Sequence, residues 1–210
     1  MTAVPCIVRV IDDDASWRIS VERLLSAAGY RVALYESAER FLEAASVDAP
    51  GCILLDVRMP GLTGLQLQQR LAEFRQELPI VFLSGHGDIP TSVLAVKAGA
   101  EDFLTKPVDT DVLLDAVARA IAHDREDRDR RRQLDALRSR VDALTPTERR
   151  VFDLVVRGML NKRIAAELGS TERTIKWHRQ HIMQKLQLQS LAELVSLAER
   201  LGLTDARDAN

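Results

Sequence analysis

Five short apolar runs alternate with five amphipathic stretches over the first 122 residues, and that alternation leaves few folds open. The runs lie at 6–11, 31–35, 51–55, 79–84 and 101–104, and stretches with helical spacing lie near 15–28, 37–45, 64–76, 89–98 and 109–122. A run such as Cys52-Ile53-Leu54-Leu55 is short and has no polar face, so it reads as a strand buried on both sides. Such strands, separated by helices, build a parallel sheet with helices on each face. Gly29 and Gly99 stop the first and fourth helical stretches, and Pro79 marks where the fourth strand begins. The expected fold is α/β and doubly wound, with five parallel strands.

Charged residues stand at the C-terminal tips of these runs. Asp56 ends the third, Asp12-Asp13-Asp14 end the first, and Lys106-Pro107 follow the fifth through Phe103-Leu104. Carboxylates and a lysine at the tips of parallel strands make a site for a divalent metal and a phosphoryl group. Asp14 precedes a helical stretch and is placed to cap it. His86 is expected in a loop, without a ligand role. Cys6 and Cys52 each open a strand and read as small buried hydrophobes.

Charge divides the chain. Residues 1–122 carry 11 Lys/Arg against 17 Asp/Glu, whereas residues 123–210 carry 18 against 14. An acidic first half and a basic second half suggest a different partner for each. No stretch approaches the roughly 20 apolar residues that span a bilayer, and no basic segment precedes an apolar one at the N-terminus. A cytoplasmic chain without membrane contact is expected.

Residues 123–141 form a densely charged linker of both signs, with no Gly or Pro, a composition that favours a solvated helix. Leu134, Leu137, Val141 and Leu144 draw a thin apolar stripe, available to a neighbouring domain or to a second chain. Residues 142–210 then read as a separate all-α domain. Thr145-Pro146-Thr147-Glu148 is a capping box with Pro at N1, opening a helix that stops near Gly158. Asn161 is placed to cap a short helix from Lys162 to Leu168, Thr171 a longer one to about Leu186, and a fourth begins near Ser190. A short helix, a Gly turn and a longer helix make a helix-turn-helix. On the longer helix Ile175, Ile182 and Leu186 lie on one side, while Arg173, Lys176, Trp177, Gln180 and Gln184 lie on the other. A basic, amide-rich face with one aromatic suits the major groove of DNA.

Two resemblances follow from these residues. Asp12-Asp13, Asp56, Ser84 and Lys106-Pro107, in that order, resemble the receiver domain of bacterial response regulators over about residues 5–122. Met59-Pro60-Gly61 and Ser84-Gly85-His86-Gly87-Asp88 resemble its FixJ subgroup. Asn161-Lys162-Arg163-Ile164-Ala165, Thr174-Ile175-Lys176-Trp177-His178 and Ile182-Met183-Gln184-Lys185-Leu186 resemble the LuxR-type four-helix DNA-binding domain over about 142–203. Ser170 departs from the aliphatic residue usual there, which bears on the packing of the turn, and Trp177 is bulkier than the usual aliphatic, so base preference is not carried over. The whole chain resembles the FixJ/NarL family, FixJ- and StyR-like regulators in particular.

The resemblance implies strand order 2-1-3-4-5 and a role for each site residue. Asp56 would accept the phosphoryl group. Asp13 and Asp56, with the carbonyl of Arg58, would bind Mg²⁺ directly, and Asp12 through water. Lys106 and Ser84 would contact phosphoryl oxygens, and Phe103 would be the rotating aromatic of the switch. Lys176, Trp177 and Gln180 would face bases, with Arg173 on the same outward face, and Lys162, Arg179 and Lys185 would face phosphates. Implied partners are a sensor histidine kinase, promoter DNA, a second copy of the chain on phosphorylation, and RNA polymerase. The chemistry would be confined to self-phosphorylation and dephosphorylation. Two alternatives stay open: an aspartyl-phosphate phosphatase using Asp12 and Asp14, and a ligand-gated LuxR-type regulator.

Overall fold

The computed structural model describes residues 5–44, 49–73, 78–85 and 89–204. His86–Asp88, in the motif after Ser84, and the ends of the second and third helical stretches lie outside the described residues. The chain forms two compact units, Met1–Arg128 and Asp129–Asn210.

In the first unit β1 (Ile7–Ile11), β2 (Arg31–Tyr35), β3 (Gly51–Asp56), β4 (Ile80–Ser84) and β5 (Asp102–Thr105) alternate with α1 (Ala15–Ala27), α2 (Ala38–Ala44), α3 (Gly64–Glu73), α4 (Ile89–Lys97) and α5 (Thr110–Asp142). All strand pairs are parallel, in the order β2-β1-β3-β4-β5. The doubly wound sheet and its order are as expected. Alternate residues of the strands feed two cores. Val8, Val10, Cys52, Leu54, Val81 and Leu83 pack with α1 and α5. Ile11, Ile53, Leu55 and Phe82 pack with α2 and α3. Every residue of β3 and β4 is buried, which is why both read as continuous apolar runs. Register sets Asp56 beside Leu83 and Ser84 beside Thr105, so the strand tips end at one edge.

That edge has a counterpart at the other end of β1, where the sequence shows only an interrupted apolar run. Arg9 is 1% exposed. Its guanidinium donates to the carbonyls of Ala49 (2.9 Å) and Ile7 (3.2 Å). Burial pushes its pKa down. Asp124 is as buried, accepts the N–H of Gly51 at 2.9 Å and pairs with Arg128 at 2.8 Å. Gly51 has φ +148°, and a Cβ there would lie 1.9 Å from the Ile7 carbonyl oxygen. Cys52 is buried and its thiol is pushed up to about 12, first by burial; Cys6 is half-buried, and both are free.

The charged segment expected as a helical linker continues the fifth helix, so that α5 runs unbroken from Thr110 to Asp142. No stop residue occurs there, and i,i+3 and i,i+4 pairs such as Asp129–Arg132 and Asp124–Arg128 support the helix. Its last turns belong to the second unit, where Val141 is buried and Leu134 and Leu137 pack on the core. The expected stripe thus covers its own domain.

The second unit adds α6 (Pro146–Val156), α7 (Asn161–Glu167), α8 (Glu172–Leu186) and α9 (Leu191–Arg200). The capping box at Thr145 is present, and the side chains of Thr171 and Ser190 cap α8 and α9. Asn161 is not a cap: Leu160 holds that position, and Asn161 begins the helix with its side chain committed elsewhere. Gln187, at φ 58°, ends α8 in the left-handed region where glycine is commoner.

Candidate functional site

The tips of β1 and β3 and the segment after β5 bring three charges together. Asp12 is 0% exposed and Asp56 is 7% exposed. Lys106 Nζ donates to Asp12 Oδ2 at 2.5 Å and to Asp56 Oδ1 at 2.6 Å. The second Asp56 oxygen accepts the N–H of Arg58 at 2.7 Å, and Asp12 Oδ1 accepts the N–H of Asp14 at 2.9 Å. Burial works against the Lys106 ammonium, but hydrogen bonds to Asp12 and Asp56 outweigh it and its pKa lies above the ordinary lysine value. Burial pushes the Asp12 carboxyl up while Lys106 pulls it back. The two short contacts favour the charged form, because two buried carboxylates need the shared cation.

Neighbouring elements frame this cluster. Asp14 caps α1, accepting from the N–H groups of Ser16 (2.8 Å) and Trp17 (3.2 Å). The Trp17 ring lies under Lys106 Nζ, 4.3 Å from its centroid. Arg18 donates to the Asp12 carbonyl at 2.5 Å. Ser84 is buried at the tip of β4, and its carbonyl accepts the Lys106 N–H at 2.7 Å. Phe103 is half-buried, with its ring 6.3 Å from that of Phe82. Asp13 and Arg58 are exposed at the rim. The fold thus gathers Asp12, Asp56, Lys106 and Ser84. Among the described residues no three His, Cys, Asp or Glu side chains cluster as a metal site. The carboxylates of Asp12, Asp13 and Asp56 and the Arg58 carbonyl are nonetheless all hard oxygen donors, and the Asp12–Asp56 pair already holds a cation in Lys106. That donor set fits Mg²⁺. Trp17 and Arg18 were not singled out from sequence; an aromatic one turn beyond an acidic cap was the signal available.

The second cluster of expected residues is on α8 and α7. Ile175, Ile182 and Leu186 are buried, while Arg173, Lys176 and Gln180 are exposed and Trp177 is 53% exposed. Trp177 stacks on His181 at 3.9 Å and meets His178 edge-on at 5.0 Å. His178 Nδ1 is buried without a hydrogen-bond partner. Lys162 is exposed on α7.

Two residues expected at phosphates also have side-chain partners within this unit. Arg179 donates to Asn161 Oδ1 at 2.6 Å, which ties α8 to α7. Lys185 Nζ reaches Glu148 Oε2 at 2.6 Å, the oxygen that also accepts the Thr145 N–H at 2.8 Å in the capping box. Burial works against the Glu148 carboxylate, but hydrogen bonds from Lys185 and Thr145 outweigh it and hold its pKa at about 2. These cations serve the packing of α7 and α6 against α8, with the Lys185 side chain still 40% exposed.

Comparisons with known proteins match this geometry. Residues 8–118 match the family described as the response regulator receiver domain, and residues 142–198 match the bacterial regulatory proteins of the luxR family. Nodulation protein W of Bradyrhizobium diazoefficiens is 44% identical over 198 residues, covering 94% of this chain and 87% of that protein. The transcriptional regulatory protein FixJ of the same species is 41% identical over 196 residues, covering 93% and 96%. Among solved structures the response regulator StyR superposes with a TM-score of 0.80 at 44% identity, covering 93% of this chain and 99% of that one.

Proposed function

The chain belongs to the response-regulator family, with a receiver joined to a LuxR-type DNA-binding domain, and from that premise we propose that a phosphoryl group on Asp56 controls its regulation of transcription. The observation that carries this reading is the buried Asp12–Lys106–Asp56 cluster at the strand tips. We assign residues 1–122 to the receiver, 123–141 to the linker and 142–210 to the DNA-binding domain. The receiver occupies the place a ligand-binding domain would need, which sets the ligand-gated alternative aside.

The donor is a phosphohistidine of a sensor histidine kinase. An Asp56 oxygen attacks phosphorus, the P–N bond breaks, an O–P bond forms, and the imidazole leaves and takes up a proton. Asp13, Asp56 and the Arg58 carbonyl would hold Mg²⁺, with Asp12 acting through water; the ion supplies charge neutralisation. Lys106 moves from the carboxylate pair to a phosphoryl oxygen, Ser84 donates its hydroxyl to another, and Phe103 follows inward. Activation is a population shift between these arrangements. It favours a dimer through the face around α4, β5 and α5, where Val93, Leu94 and Val96 are exposed. Two DNA-binding domains then engage half-sites about one helical turn, or a multiple, apart on promoter DNA. Lys176, Trp177 and Gln180 would face bases, with Arg173 beside them, and Lys162 phosphates; Arg179 and Lys185 would position α8. The protein would work in the cytoplasm and act on RNA polymerase at the promoter.

Labelling with a phosphodonor tests the acceptor. Asp56→Asn abolishes Mg²⁺-dependent incorporation while the fold, followed by circular dichroism, is retained. Undiminished incorporation in the variant overturns the assignment.

A further inference from the structure

The Lys106 ammonium is held on more than its two carboxylate sides. Asp12 and Asp56 approach it at 2.5 and 2.6 Å, and the Trp17 ring faces it at 4.3 Å. A cation within about 6 Å of an indole centroid is attracted by the negative face of the ring. The backbone that carries the indole is itself fixed. Asp14 accepts the backbone N–H of Trp17, which winds the first turn of α1, and the adjacent Arg18 ties that turn to the Asp12 carbonyl at the tip of β1. Trp17 is half-buried against the α1–α5 side of the core. Packing alone would account for an indole there, but would not place a ring face under the ammonium that Asp12 and Asp56 share.

We propose that Trp17 is a positioning residue for phosphoryl transfer, its ring holding the Lys106 ammonium beside Asp56; this rests on the reading of Asp56 as acceptor. The physical need is specific to lysine. Its charge is a point on a flexible four-carbon stem, and two carboxylates attract it without fixing the stem. A third, rigid contact removes freedom that Lys106 would otherwise lose as the transition state forms.

The test uses the full-length chain and phosphoramidate, whose P–N bond breaks as the Asp56 O–P bond forms and ammonia leaves with a proton. Trp17→Leu keeps apolar bulk but has no quadrupole, whereas Trp17→Phe keeps a π face. Initial phosphorylation rates should fall roughly 3- to 10-fold in Trp17→Leu and recover most of that loss in Trp17→Phe. The ε-methylene protons of Lys106, shifted upfield by the ring in the unphosphorylated wild-type chain, should lose that shift in Trp17→Leu and keep part of it in Trp17→Phe. Rates equal to wild type in both variants overturn the proposal. So does an equal fall in both that tracks a fall in melting temperature, which would mark a packing role. A wild-type chain that takes up no phosphoryl group, or an Asp56→Asn chain that does, removes the acceptor reading and with it this role of Trp17, whatever the Lys106 resonances show.

Discussion

Lys106 balances two buried carboxylates with one charge, so removing it leaves Asp12 and Asp56 facing each other without a cation. Lys106→Met should destabilise the N-terminal unit by about 1–3 kcal/mol in a chelator, less than a fully buried pair because Mg²⁺ or water can reach the rim. Adding Mg²⁺ should recover more stability in this variant than in the wild type, because the ion takes over the neutralisation. Denaturant melts with and without the ion decide, and an equal Mg²⁺ response in both chains removes the shared-cation account. Glu148 gives a second residue-level expectation. Its folded pKa, about 2, lies below that of an ordinary carboxylate. Its contribution is therefore present above about pH 4.5 and is lost as pH falls toward 2. Glu148→Gln should cost the C-terminal unit about 1–3 kcal/mol at pH 7 and little at pH 2. A pH series of melts measures this, and a cost that does not shrink in acid counts against it.

Elements place these residues through close backbone approaches. A Cβ on Gly64, at the start of α3, would lie 2.3 Å from the Asp56 carbonyl oxygen and 3.1 Å from the Phe82 ring. Only a residue without Cβ lets α3 begin so near the Asp56 backbone. Gly64→Ala should cost about 1–3 kcal/mol through overpacking and should slow Asp56 labelling, since the backbone that must shift carries that side chain. Melting temperature and initial labelling rate on the same preparation check both effects; wild-type labelling in a destabilised variant would separate the helix start from the site. At the opposite edge, Asp124 ties the extended part of α5 to the Gly51 N–H. The helix beyond 122 is thus anchored to the sheet by a buried carboxylate, not merely solvated.

At the scale of the whole molecule the chain joins an acidic receiver unit to a more basic DNA-binding unit. The pairing of Lys185 with Glu148 separates two kinds of cation on that second unit. Gln180→Ala should leave stability unchanged and lose about 1–3 kcal/mol of discrimination at one base position. Lys185→Ala should instead lower the melting temperature and leave the salt slope of binding nearly unchanged. Binding to specific and random duplexes over a salt series, with melts of both variants, distinguishes them. Equal weakening of both duplexes by Gln180→Ala would mean that this face does not read sequence through that residue.

Local spacing carried much of this chain. Apolar runs of four to six residues declared the strands, and 3.6-residue periodicity declared the helices. The Thr145 capping box marked the start of α6, and acids at the ends of runs marked the site. These signals lie within a few residues of one another, because hydrogen bonding within a turn and alternation along a strand are short-range. The absence of a stop after 122 is equally legible, and α5 runs on through the charged segment. Other features had no local signature. Lys106 meets Asp12 across 94 residues and Asp56 across 50, and Asp124 meets Gly51 across 73. Arg9 reads as an interruption of β1 until Ala49 accepts its guanidinium, and Lys185 reads as an outward cation until α6 brings Glu148 to it. The parallel crossovers and the packing of α6 on α8 decided those pairs. A charge selects its partner from what packing leaves within about 3 Å, and one chain segment does not contain that information.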